Sequence, residues 1–298
     1  MIRLVVYFLT VLGILVVGGF TIYLGCAFVG VPISASELIP YMGIMAVLGI
    51  GGSLISLFAS KYSVKRSMRV QVISYPQNEA EKWLVETVAQ LAKKKDVDMP
   101  EVGIYPSRTM NAFATGWNRN SALVAVSTGL LEKMNKRQVE AVLGHEMSHV
   151  SNGDMVTMTL IQGVVNTFVM VISSVLATVI AAAMSNSNNN CRRGSSSAIS
   201  RPVYIVCQLL FGFLGAMVVS WFSRWREYRA DAGSAEAVGA EGMISALSAL
   251  GGETKPSEGE MNSSKTVQAL CISSFNLGGL FATHPSLEDR IAALQKLK

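Results

Sequence analysis

Four stretches of the chain, residues 4–31, 38–60, 155–184 and 203–222, contain no Asp, Glu, Lys or Arg. Each offers the roughly 20 apolar residues that a helix needs to cross about 30 Å of hydrocarbon, a medium in which irregular backbone is not tolerated. Half of the 298 residues are hydrophobic and only 15% are charged, with a mean hydropathy of +0.39, which is too apolar for an ordinary soluble domain. The expected organisation is two N-terminal transmembrane helices (1–60), a first polar part (61–154), two apolar helices forming a membrane hairpin (155–222) around a polar loop (185–202), and a second polar part (223–298). Arg3, the apolar run and Leu24-Gly25-Cys26 have the outline of a signal peptide or a lipoprotein cleavage site. The run exceeds the usual 7–15 residues of a signal core, and a second apolar segment follows at once, so an uncleaved anchor is expected.

Basic residues set the expected orientation. Lys61, Lys65, Arg66 and Arg69 follow the second segment, and Arg224, Arg226 and Arg229 follow the fourth, whereas the loop after the first segment holds Glu37 and no base. The positive-inside rule places both termini and both polar parts in the cytoplasm. Arg192, Arg193 and Arg201 in the 185–202 loop dissent mildly. The net charge of +5 is accounted for by bases facing anionic lipid, so the bilayer is an expected partner and nucleic acid is not. Cys26, Cys191, Cys207 and Cys271 form no CxxC pair, which argues against a disulfide framework or a thiolate zinc site.

The polar parts read as α+β. Asn78 with Glu81 resembles a capping box ahead of a stripe of Leu84, Val85, Val88, Leu91 and Ala92. Pro100 precedes a short strand with Val102 and Ile104, and 111–115 and 122–126 read as two strands joined by a hairpin loop over 116–120. Asn135 with Gln138 starts a further helix with Val139, Val142 and Leu143 on its buried stripe, ending or bending near Asn152-Gly153. Ser286 with Asp289 caps a last helix carrying Ile291, Leu294 and Leu297. The Ala, Gly and Ser of residues 232–252 indicate close helix packing.

The helix that begins at Asn135 carries His145-Glu146-Met147-Ser148-His149, an HExxH motif that uses two of the three histidines in the chain. Residues four apart share a helix face, so both imidazoles can reach one metal ion, while Glu146 can reach a water on that metal. This is the arrangement of a zinc hydrolase, with one Zn2+ per chain. A catalytic zinc needs three protein ligands and an open position. The third can come from His284 or from a carboxylate. Topology favours Glu227, because two apolar segments separate it from His149 and return it to the same membrane face. Its lone carboxylate could equally be solvated or paired with an arginine.

The sequence resembles the HtpX-type membrane metalloproteases, relatives of the CaaX-prenyl endopeptidase Ste24. The likeness runs from the two N-terminal apolar segments through Asn111-Ala112-Phe113-Ala114-Thr115-Gly116, Val126-Ser127-Thr128-Gly129-Leu130-Leu131, His145 to Asp154, Glu227-Tyr228-Arg229-Ala230-Asp231 and Thr283-His284-Pro285. HExxH alone is common. Its combination with Asn-Gly-Asp and a following Glu-x-x-x-Asp is far more specific. The resemblance implies a gluzincin-like, mostly helical zinc-protease domain with a small β-sheet, plus transmembrane helices. It implies His145, His149 and Glu227 as metal ligands, Glu146 as general base, and Asp231 as the carboxylate that orients a ligating histidine. It also puts Asn111 on a substrate-lining edge strand and His284 near the cleft, either stabilising the oxyanion or bonding its local turn. Ser286 departs from the common pattern, where relatives often carry a second proline. The implied function is a zinc metalloendopeptidase of the bacterial inner membrane that cleaves misfolded or misassembled membrane proteins on the cytoplasmic side, in quality control and stress response.

Two other functions fit parts of the pattern. An intramembrane site-2-type zinc protease also carries HExxH near apolar segments, but within a spanning helix; here polar Asn135-Lys136-Arg137-Gln138 precedes the motif. A non-catalytic membrane scaffold holding structural zinc would be closed by four ligands and would need no Glu146.

Overall fold

The computed structural model describes residues 2–28, 34–187, 195–252 and 283–297. Residues 188–194 of the polar loop, Cys191, Cys271 and the side chain of Cys26 lie outside the described residues. Helices α1 (Ile2–Phe28) and α2 (Ala35–Ser67) are followed by strand β1 (Gln71–Val72), helix α3 (Glu79–Lys94) and strands β2 (Glu101–Tyr105), β3 (Ala112–Gly116) and β4 (Ala122–Ser127). Helices α4 (Thr128–Lys133), α5 (Lys136–Asn152), α6 (Asp154–Ser187), α7 (Ser195–Val238), α8 (Ala240–Gly251) and α9 (Leu287–Gln295) complete the described chain. These residues form two compact units, one within Met1–Ser56 and Thr157–Val219, the other within Leu57–Val156 and Ser220–Lys298.

In the first unit the apolar helices meet through a small core of Ile22, Met42, Val171 and Val175. Gly18 allows a close approach of α1 to α6, because a Cβ there would collide with Val171. Small residues let apolar helices pack without a hydrophobic driving force. Among the described residues three helical stretches are long and apolar enough to cross a membrane, Met42–Ser67, Asp154–Ala181 and Ser200–Val238, with a shorter apolar stretch at Leu9–Leu24.

The second unit holds a mixed four-stranded sheet in the order β1-β2-β4-β3. β2 runs parallel to β4, whereas β3 and β4 pair antiparallel with Gly116 opposite Ala122. The first strand thus lies one residue later than its sequence suggests, the second begins at Ala122 as expected, and the loop is confined to 117–121. Every residue of β3 and β4 is buried. Alternation along the strands explains how: Ala112, Ala114, Ala122, Val124 and Val126 join the core built on α3, α5 and α8, whereas Phe113, Leu123 and Ala125 join Tyr105 and Val64 of α2 on the opposite face.

Helix α5 is fixed at both ends. The Asn135 side chain accepts from the Gln138 N–H while the Gln138 side chain accepts from the Asn135 N–H, and Gly153 stops the helix in the left-handed region at φ 65°. Ala141 through Val150 are all buried, more than an amphipathic helix requires, because α7 covers the other face. The Ser234 hydroxyl donates to the Ala141 carbonyl at 2.6 Å, and a Cβ on Gly144 would come within 2.9 Å of that hydroxyl oxygen. In α9, Leu294 is buried as expected, whereas Leu297 lies past the helix end and is 59% exposed.

Leu143, fully buried in this core, should cost about 3 kcal/mol on replacement by alanine, and Asn135→Ala about 1 kcal/mol. Thermal unfolding in detergent should therefore rank Leu143→Ala as the more destabilised; the reverse order would contradict the packing described.

Candidate metal and catalytic centre

The two histidines of α5 and one carboxylate of α7 converge. His145 Nε2 and His149 Nε2 lie 3.1 Å apart, with the rings edge to face. Glu227 Oε2 is 3.4 Å from His145 Nε2, and its Oε1 is 3.3 Å from His149 Nε2. All three residues are buried, and their donor atoms lie within 4.8 Å of one another.

Carboxylates hold the outer nitrogens. His145 Nδ1 is 2.9 Å from Asp231 Oδ1, and His149 Nδ1 is 2.7 Å from Asp154 Oδ2. A carboxylate on Nδ1 selects the tautomer whose Nε2 lone pair is free for a metal. Asp231 stands one turn after Glu227 on α7. Asp154 opens α6 directly after the Gly153 stop, which turns the chain back towards His149.

Arg290 is the residue the sequence reading missed. It is fully buried on α9, donating to Asp231 from Nε at 2.8 Å and from Nη2 at 2.6 Å, with Nη1 3.8 Å from Glu227 Oε2. The available signal was weak: Arg290 stands four residues before Leu294 and so shares the buried face of α9. Arg226 also reaches the site, donating to Glu227 Oε1 at 3.2 Å. The arginine pairing that the sequence left open for Glu227 therefore coexists with its place among the histidines.

The donor set fits a cation. Glu227 Oε2 is buried and accepts no hydrogen bond, although nitrogens of His145, His284 and Arg290 surround it. Two imidazole nitrogens beside this orphaned oxygen match the nitrogen and oxygen preference of zinc. Without a metal the cluster holds a proton instead. Burial pulls the His145 pKa down, but Asp231 and Glu227 outweigh it and raise the value to about 9.

Glu146 lies in the same buried stretch of α5, beside His145 on the chain. His284 precedes α9 and brings Nδ1 to 2.8 Å from Glu227 Oε2, out of line for a hydrogen bond, and neither ring nitrogen has a hydrogen-bond partner among the described residues. Asn111 is buried just before β3, the end strand of the sheet, and its amide nitrogen donates to the Tyr105 hydroxyl at 2.7 Å. The structure thus gathers His145, His149, Glu227, Asp231 and His284 into one cluster and commits the Asn111 side chain to the sheet.

Known proteins resemble this chain over most of its length. The model of peptidase family M48 matches residues 78–298. "Protease HtpX" of Pseudoalteromonas atlantica is 48% identical over 267 residues, covering 90% of this chain and 88% of the relative. "Protease HtpX" of Acinetobacter baumannii is 45% identical over 306 residues, covering 100% of this chain and 99% of the relative. The crystal structure of S. mikatae Ste24p superposes with a TM-score of 0.53 at 19% identity. It covers 94% of this chain, which spans only 63% of that protein, and it speaks to the fold alone. With the family model matching residues 78–298 and HtpX proteases 45–48% identical over nearly the whole chain, the chain belongs to peptidase family M48, as a membrane metalloprotease of the HtpX type.

Proposed function

We propose that the chain is a zinc endopeptidase held in a bacterial inner membrane, with its catalytic parts in the cytoplasm, that cleaves misfolded or misassembled membrane proteins. The observation that carries the reading is the convergence of His145 Nε2, His149 Nε2 and Glu227 with a carboxylate behind each histidine. The chain divides accordingly into membrane helices (1–60), catalytic parts (61–154 and 223–298) and a membrane hairpin (155–222).

His145, His149 and Glu227 would hold the metal. A zinc ion bound there supplies a Lewis acid that polarises the scissile carbonyl and acidifies water. Glu146 takes the proton of the attacking water on its carboxylate and passes it to the departing amine. Asp231 and Asp154 hold the imidazoles in register, and Arg290 fixes Asp231 in turn. His284, whose Nδ1 lies 2.8 Å from Glu227 Oε2, would stabilise the oxyanion. β3, the end strand of the sheet, would align an extended peptide by backbone hydrogen bonds, which favours unfolded segments; Asn111 anchors the start of that strand. An intramembrane protease fits less well, because α5 lies outside the apolar stretch that begins at Asp154. A closed structural site fits less well too, because it gives Glu146 no task.

Glu146→Gln should retain zinc and abolish hydrolysis, since the amide keeps the size and loses the base. Zinc content and cleavage of an unfolded substrate, measured on one purified sample, test this; activity with bound zinc would remove Glu146 from its role.

Alanine at His145, His149 or Glu227 should each strongly weaken zinc binding in a chelator competition. Asp231→Ala and Arg290→Met should cost less, about 10–100-fold. Binding must also displace the proton of His145, which the metal-free cluster retains up to about pH 9. Affinity should therefore rise with pH towards that value, by up to about tenfold per unit. Parent-like affinity in Glu227→Ala would transfer the third ligand to His284.

For topology, single cysteines replacing Glu37, Lys94, Asn188 and Glu227 in a cysteine-free background should react with an impermeant thiol reagent on spheroplasts only at 37 and 188. Labelling at 37 without 188 would mean that the last two apolar segments do not span.

A further inference from the structure

The hairpin joining β3 and β4 carries a feature that catalysis does not use. Trp117, its first loop residue, is 44% exposed, and its ring lies against Phe58 of α2 at 6.0 Å between centroids. Phe58 is itself 61% exposed and belongs to the apolar run Met42–Ser67. Tyr62, one turn further along α2, is 67% exposed, with its hydroxyl 3.5 Å from Arg66 Nη1. An apolar helix face that gives way to aromatic rings and then to bases is the order found where a helix leaves the bilayer, with rings at the headgroup level.

The direction of the sheet agrees. Val64 of α2 shares a core cluster with Phe113 in the middle of β3. Phe58, six residues and about 9 Å earlier along α2, meets Trp117 past the end of the same strand. β3 therefore runs against the last turns of α2, and its last residues point towards Phe58. The start of β2 gives the same level independently: Glu101 pairs with Lys61 at 3.0 Å and with Lys65, and it stands in register with Leu123 at the start of β4. The end of the sheet that carries the hairpin thus lies at the basic turn of α2, and the hairpin tip reaches past it. Arg119 is exposed at that tip.

We propose that the tip, Trp117 to Asn120, sits in the headgroup layer of the bilayer beside α2, with Trp117 among the upper acyl carbons and Arg119 on anionic phosphate. The partner is a lipid surface, identified by continuity with the apolar run of α2 and by the sign of the charges beside it. This contact rests on α2 being a membrane helix and is independent of the catalytic roles. On the endopeptidase reading, it would place the turn end of the edge strand β3 where a segment leaves the bilayer.

The test uses the full chain in vesicles of phosphatidylcholine and phosphatidylglycerol, with or without bromine on the acyl chains. Two variants each keep one tryptophan, Trp117 or Trp83 of α3, the others being changed to Phe. Brominated lipid should quench Trp117 emission and leave Trp83 emission unchanged. Equal quenching, or none at Trp117, would overturn the proposal and leave Trp117 for a protein partner. Should the tryptophan replacements impair folding, a nitroxide on Asn120→Cys, in a chain that keeps its tryptophans and lacks native cysteines, reads the same depth. Its relaxation should be enhanced more by oxygen and less by a water-soluble nickel chelate than that of a label on Glu86→Cys of α3. Matching accessibilities at the two positions would overturn the contact.

Discussion

Burying a carboxylate is costly unless a partner is supplied, and this protein buries Glu227, Asp231 and Asp154 around one pair of histidines. The rest of the catalytic unit is arranged around meeting that demand. Asp231 is held by two guanidinium hydrogen bonds from Arg290 and faces His145, Asp154 faces His149, and Glu227 keeps one oxygen with no hydrogen bond at all. A buried carboxylate with one oxygen accepting no hydrogen bond among the described residues, set against the Nε2 atoms of His145 and His149, is a donor set that a divalent cation would complete. Removing any single partner would leave an uncompensated buried charge, so these residues act as a set.

That set is held by elements far apart in sequence. The two helices that supply it, α5 and α7, approach closely because Gly144 and Ser234 meet at their contact, and the Ser234 hydroxyl ties α7 to a carbonyl of α5. The α5 helix is capped at its start and ended by a left-handed glycine, which delivers Asp154 to the back of His149. From the far end of the chain, α9 contributes Arg290. The C-terminal helix is therefore part of the site's electrostatics, although it offers no ligand.

Much was legible in the sequence. A helix places residues four apart on one face, so His145 and His149 were paired by spacing alone, and the same rule related Glu227 to Asp231. Caps at Asn78, Asn135 and Ser286, the glycine stop at 153 and the apolar runs are local signals, and each depends on residues close in the chain. The β3–β4 hairpin was readable for the same reason, although its first strand begins and ends one residue later than the sequence suggests.

What the sequence could not determine is which distant groups meet. Nothing in the local pattern marked Arg290, and only packing made it the buried partner of Asp231. The place of Asp154 behind His149 likewise appears only once the chain turns at Gly153. The direction of the hairpin relative to α2 likewise depends on contacts between residues about 50 positions apart. Periodicity and caps are properties of a few consecutive residues, so the sequence by itself determined most of the helices, the β2, β3 and β4 strands and the shared face of His145 and His149, but not the two-residue β1 or the short α4. The pairing of buried charges depends on atoms brought together from α5, α6, α7 and α9, and that was decided only by the tertiary structure.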